Sequence, residues 1–106
     1  MAMNYKEIPQ VLADNEVIKK AAQFVIDVEK YHGKLPQNHI RYAESLKLPL
    51  LQIVAGNRAQ SVHAKKRLEA LNAAIEYAQT GDKRARRRYG VAFKQADRIA
   101  LKLARG

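Results

Sequence analysis

The chain has 106 residues, no cysteine, and twenty Lys and Arg against ten Asp and Glu, for a net charge of +10. A disulfide framework, a thiolate metal site and a cysteine nucleophile are excluded, and the length fits a single helical domain, residues 1–106, able to bury a core. No apolar run approaches a membrane span, and Met1–Gln10, which holds Glu7 and Pro9, lacks the apolar stretch of a secretion signal. The expectation is a soluble, cytoplasmic protein with no membrane partner.

In chain order, Tyr5–Ala13 reads as a short segment in which Pro9 opens a single turn and Ile8, Val11 and Leu12 are its apolar anchors. Asp14 or Asn15 is the expected cap of a helix over Glu16–His32, where Val17, Ala21, Phe24, Val28 and Tyr31 recur at the helical period. Gly33 is its stop. Leu35 and Pro36 begin the next helix, which runs to Leu46, and Pro49 marks a further break. Leu50–Ala55 is the most apolar stretch and is expected at the centre of the core.

Ser61 is the expected cap of the following helix, in which Ala64, Leu68, Leu71, Ile75 and Ala78 repeat at heptad-like spacing. Thr80-Gly81-Asp82 is a stop and restart, with Gly ending one helix and Asp capping the next. The helices on either side should pair as an antiparallel hairpin. No strand pattern is present. The predicted fold is all-α, a compact bundle of four or five helices ending in that hairpin. Its expected core draws on Phe24, Val28, Leu46, Leu51, Ile53, Val54, Leu68, Leu71, Ile75, Phe93, Ile99 and Leu103.

The charge is unevenly placed. Residues 1–53 carry seven basic and six acidic groups, and residues 54–106 carry thirteen and four. An excess confined to one half points to a docking surface for an anion. Lys83–Arg105 alone holds nine basic residues. At roughly 100° per residue, Arg84, Arg87, Arg88, Lys94, Arg98, Lys102 and Arg105 fall on one side of this helix. Ala85, Tyr89, Ala92, Phe93, Ala96, Ile99, Ala100 and Leu103 fall on the other. The cationic row is about 30 Å long, enough to follow several phosphates.

A solvated helix face mixes its signs. Here Asp97 is the only acid beyond the cap Asp82, and Arg84/Arg88, Lys94/Arg98 and Arg98/Lys102 are like-charge pairs four residues apart, which cost helix stability. The cluster Lys83–Arg88 also sits at a helix N-terminus, where the macrodipole disfavours cations and where free N–H and guanidinium groups converge on any phosphate placed there. Arg86, and Lys65, Lys66 and Arg67 on the preceding helix, are expected to support the site. Tyr31, Tyr42, Tyr77 and Tyr89 sit at core spacing, leaving Tyr5 as the aromatic without a core role. The expected contact is therefore with nucleic-acid backbone, not bases, and is salt-sensitive. Leu101, set among the basic residues, suggests a contact to another chain.

More specific chemistry is poorly represented. A helix-turn-helix on residues 39–58 places Ala43, Leu46, Leu48 and Ile53 at suitable positions. Lys47, however, stands where the turn takes Gly, and the would-be recognition helix offers almost no polar atoms to base edges; a core helix pair is the preferred reading. Arg58 and His63 have an Arg-x4-His spacing that resembles the motif of HEPN-type ribonucleases, helical proteins that use an Arg and a His at a dimer interface. Ala59 stands where those enzymes place a polar residue. His32, His39 and His63 form no metal-like array, and Gly56 and Gly90 are isolated, not parts of a phosphate loop. No catalytic residue, metal, cofactor or small-molecule substrate is expected.

Tyr42-Ala-Glu-Ser-Leu-Lys-Leu-Pro-Leu-Leu-Gln-Ile-Val-Ala-Gly-Asn-Arg-Ala-Gln60 resembles the central motif of the small all-helical subunit of type III-B CRISPR effector complexes. That motif is a Leu-Pro-x-Leu-Ile run, then a Gly and a short segment of polar and small residues; the match takes a one-residue insertion before Gly56. Such subunits are all-α and basic and line the groove along guide and target strands. The resemblance implies a structural subunit that holds nucleic-acid backbone, spans residues 42–60 only, and assigns no functional residue. The expected function is thus a non-enzymatic DNA- or RNA-binding subunit of a nucleoprotein complex. It would grip phosphates through Arg84, Arg87, Arg88, Lys94, Arg98 and Lys102, supported by Arg86, Lys65, Lys66 and Arg67. The alternative is a protein-interaction module, an inhibitor or assembly factor, docking the same face on an acidic partner. A HEPN-like ribonuclease and a helix-turn-helix regulator stand behind both.

Overall fold

The first helix is one rod. The computed structural model describes residues 7–56 and 59–105, with side chains from residue 13 onward, and α1 runs without interruption over Glu7–Lys30. The expected cap at Asp14 or Asn15 is corrected: both lie inside α1, and Asp14 is buried. Pro9 does not separate a turn from the helix, because it falls in the first turn, where a missing N–H breaks no intrahelical bond. Tyr5, Asn57, Arg58 and the side chains of Ile8, Val11 and Leu12 lie outside the described residues. Ile18, Ala21, Phe24, Val25 and Val28 form the buried stripe of α1.

Gly33 ends this helix for two reasons. Its φ is +78°, following His32 at +54°, and its N–H returns to the Val28 carbonyl at 2.8 Å, a 6→1 helix-ending bond. It is also pressed on a neighbour: a Cβ there would meet the Tyr77 ring at 3.2 Å.

Two nine-residue helices follow, α2 (Gln37–Ser45) and α3 (Lys47–Ala55). The break between them is at Leu46, not at Pro49. Pro49 has no N–H to give the Ser45 carbonyl four residues back, so the helix parts there while Pro49 itself sits in the first turn of α3. Leu46, Leu50 and Ile53 point inward. Leu48 and Leu51 are 64% and 49% exposed, which corrects the expectation that all of Leu50–Ala55 is enclosed and that Leu51 is core. A short helix lying on a bundle buries one stripe and leaves the other to solvent.

The centre of the molecule is α4 (Ser61–Thr80), which packs against all four other helices. Its buried positions include Ala64, Ala70, Ala73 and Ala74, small residues that let neighbouring helices approach closely. Ser61 is its first residue and makes no capping bond; its hydroxyl donates instead to the Val54 carbonyl at 2.7 Å, tying α4 to α3.

The turn into α5 (Lys83–Arg105) forms as the sequence predicts. Gly81 has φ +72° and its N–H reaches the Tyr77 carbonyl at 2.8 Å. The Asp82 carboxylate accepts from the Arg84 N–H at 2.9 Å. Helices α4 and α5 form the most extensive helix pair. Ala85, Tyr89, Ala92 and Ala96 are the buried face of α5. Its 23 residues outrun the 20 of α4, so the last turn overhangs, and Leu103, expected in the core, is 38% exposed. The described residues are helices and connections, all-α with no strand, in an envelope of 46 × 26 × 21 Å.

Gly33→Ala should lower stability by more than about 1 kcal/mol. Gly81→Ala, strained in φ but with open space around its Cβ, should cost less; urea titration of the two variants reads the difference.

Candidate functional site

Arg84, Arg87, Lys94, Arg98 and Lys102 are exposed along one side of α5. Among the described residues none of the five has an ion-pair partner. Val91 and Leu101 lie in the same row, 58% and 53% exposed. The row follows from the amphipathic pattern: Ala85, Tyr89, Ala92 and Ala96 seat the helix on its neighbours and turn the opposite side outward.

Three of the sequence-predicted cations are placed differently. Arg86 leans toward α1 and grips Glu29 with two bonds, Nη2 to Oε1 at 2.7 Å and Nε to Oε2 at 3.2 Å. The buried Tyr89 hydroxyl donates to the same carboxylate. The Arg86 hydrogen bond first, and then that from Tyr89, hold the Glu29 carboxyl down at about 2. Burial and the Glu29 contact push the Tyr89 hydroxyl up. On the other flank, Arg88 pairs with Glu76 of α4. Both arginines remain about half exposed, but carboxylates of the same chain offset their charge.

Arg67 is the clear correction. It is 7% exposed and does not join Lys65 and Lys66 at the surface. Its Nη2 meets Asp97 of α5 at 3.0 Å, its Nε donates to His63 Nε2 at 3.1 Å, and its guanidinium lies 4.9 Å from the Phe93 ring centroid. It is a structural strut between α4 and α5. The sequence held the signal: Arg67 sits one turn from His63 and one turn from Leu71, on the inner stripe, and Asp97 is the lone acid within α5. Lys66 pairs with Glu69 at 3.1 Å, and Lys65 is exposed.

His63 belongs to the same strut. Guanidinium nitrogens only donate, so His63 Nε2 accepts and its proton sits on Nδ1, which donates to Gln60 Oε1 at 3.0 Å. Gln60 Nε2 in turn reaches Asn15 of α1 at 2.8 Å. Burial, then the nearby Arg67 charge, push His63 down from its ordinary value. Arg58, its partner in the Arg-x4-His spacing, lies outside the described residues. Tyr31 and Tyr42 correct the reading of these tyrosines as core: they are 49% and 46% exposed, Tyr31 in the turn just after α1 and Tyr42 on the outer side of α2.

Among the described residues no three His, Cys, Asp or Glu gather as a metal site, and no helix is long and apolar enough to cross a membrane. No family model, curated protein or solved structure matches the chain.

Two stability predictions follow from the paired groups. Arg67→Ala should cost about 1–3 kcal/mol in urea titration, because it strips partners from Asp97 and His63, while Lys65→Ala should stay within about 0.5 kcal/mol. Acid should act in two steps. His63 and Glu29 both hold protons less tightly folded than unfolded, so stability is full above their unfolded values and falls as pH drops. The His63 step begins below 6.5, and the Glu29 step runs from 4.5 toward 2. Glu29→Gln should flatten the second step and leave the first, as read by thermal melts across the pH series.

Proposed function

We propose that the protein binds the phosphate backbone of nucleic acid through the outward row of α5, catalyses no reaction, and serves as a small subunit of a nucleoprotein assembly. The observation that carries this reading is the row itself, with Arg84, Arg87, Lys94, Arg98 and Lys102 exposed and unpaired among the described residues. From Arg84 to Lys102 the helix rises about 27 Å, the length of several phosphates. Neighbouring like charges repel and cost helix stability; an anion chain laid along the row removes that cost and releases its own counterions. Arginine supplies paired N–H donors that match phosphate oxygens.

Arg86 and Arg88 flank the row and contribute less, since Glu29 and Glu76 already engage them. Arg67 is withdrawn from the site by its burial. The assembly role is supported by the narrowness of one backbone-binding row, which confers little sequence selectivity alone, and by the resemblance of residues 42–60 to a small nucleoprotein subunit. Val91 and Leu101, exposed within the row, favour a second reading, an acidic protein partner, because interfaces between proteins place apolar groups among charges.

Fluorescence anisotropy with a random-sequence oligonucleotide tests the first reading. Binding should be clear at about 50 mM salt and weaken steeply by about 200 mM. Reversing Arg84, Arg87 and Arg98 to Glu should abolish it, while Arg86→Gln with Arg88→Gln should weaken it only modestly. Absence of binding at the lower salt, with capture of poly-glutamate instead, would move the assignment to an acidic protein.

A further inference from the structure

A groove of about 810 Å³ runs between α1 and α5, beside the cationic row. Val25, Ile26, Gly90 and Phe93 contribute apolar lining, and Lys30, Lys83, Arg87 and Lys94 supply cations. Glu29 is the one carboxylate lining it, and Arg86 and Tyr89 already occupy its oxygens. The groove on the other side of α5, against α4, differs in sign balance: two arginines there face Glu69 and Glu76. Anions are favoured on the α1 side only.

Gly90 adds an independent observation. A glycine inside a helix weakens it, and no part of the fold needs this one: a Cβ there would meet nothing within 4 Å. It leaves open space in the groove that Phe93 also lines, and the Phe93 ring is itself held by the Arg67 guanidinium 4.9 Å from its centroid.

We propose that this groove receives unpaired bases of a single strand whose phosphates lie on Lys83, Arg87 and Lys94, an inference that rests on the backbone-binding reading above. Each nucleotide repeats one anion and one flat ring with an apolar face, the combination that cationic grooves with aromatic walls bind. A duplex keeps its rings stacked inside and offers phosphate and sugar alone to an apolar floor. An acidic peptide brings the charge without the ring. The volume falls within the roughly 300–1,000 Å³ of small-ligand sites, room for a short stretch of bases and not for a helix of another protein.

The test compares a short single-stranded oligonucleotide, an abasic strand of equal length and the corresponding duplex at about 50 and 200 mM salt. The base-bearing strand should bind about tenfold more tightly than the abasic one. Gly90→Leu fills the groove at a position that tolerates a side chain; it should erase that difference and keep the abasic affinity, with helicity checked by circular dichroism. Ile26→Gln, which removes apolar lining at an exposed groove position on the other helix without adding charge, should do the same. Equal affinity of base-bearing and abasic strands for the unaltered protein, or a preference that survives both substitutions, overturns the groove assignment and leaves the backbone reading standing. Failure of every strand to bind at the lower salt overturns the backbone reading itself, and the groove assignment with it.

Discussion

The clamp of Arg86 and Tyr89 on Glu29 sets the surface between α1 and α5. Helices α1 and α5 touch sparingly compared with α4 and α5, and the clamp is a specific link between them, joining residues 57 and 60 positions apart. Exposed ion pairs add little to stability, so its importance is positional. It fixes how far α1 stands from α5, and so the width of the groove. It also occupies the one carboxylate that lines the groove. A buried phenol and a two-pronged guanidinium together hold that carboxyl ionised down to about 2, so the arrangement persists across ordinary pH.

A second tie is the Arg67 strut, which joins α4 to Phe93 and Asp97 of α5. An arginine in an interior position is costly unless its donors find partners; here Asp97 takes Nη2, His63 takes Nε and the Phe93 ring lies 4.9 Å from the guanidinium, while Nη1 is buried with no hydrogen-bond partner among the described residues. The pairs Arg67–Asp97 and Arg88–Glu76 bind the same two antiparallel helices near opposite ends. With the tight Gly81–Asp82 turn they fix the rotation of α5. That rotation decides which arginines face carboxylates and which face water.

Much of this was legible in the chain. Helix periods, the Gly33 stop, the Gly81–Asp82 turn and the two-sided character of α5 are local properties, written in residues three or four apart. What was hidden is non-local. A helical projection places Arg86 and Arg88 on the shoulders of the cationic side, but that Glu29 and Glu76 come to meet them depends on how α1 and α4 pack. Leu51 and Leu103 read as core from hydropathy alone. Their exposure follows from a short helix presenting only one face to α4 and from an α5 longer than its partner. Asp14 reads as a cap from its residue type, yet a helix entered through Pro9 passes straight over it. Arg67 was the recoverable miss, since its place on the inner stripe was visible in the spacing.

The same packing explains why the uncompensated cations and the open groove lie together. Three carboxylate oxygens from the rest of the fold are spent on the shoulders of α5: both of Glu29, on Arg86, and one of Glu76, on Arg88. Among the described residues none reaches the outermost row, whose like charges keep no carboxylate partner. Arg87 and Lys94 belong at once to that row and to the wall of the groove. The row therefore has an apolar floor on its α1 side and carboxylates on its α4 side, the setting that a strand held by its phosphates would meet in the proposed complex. Charge alone would permit any polyanion. On the proposed reading, the asymmetry between the two flanks would give a bound strand a preferred side on which to place its bases, and would make the electrostatic row an oriented binding surface.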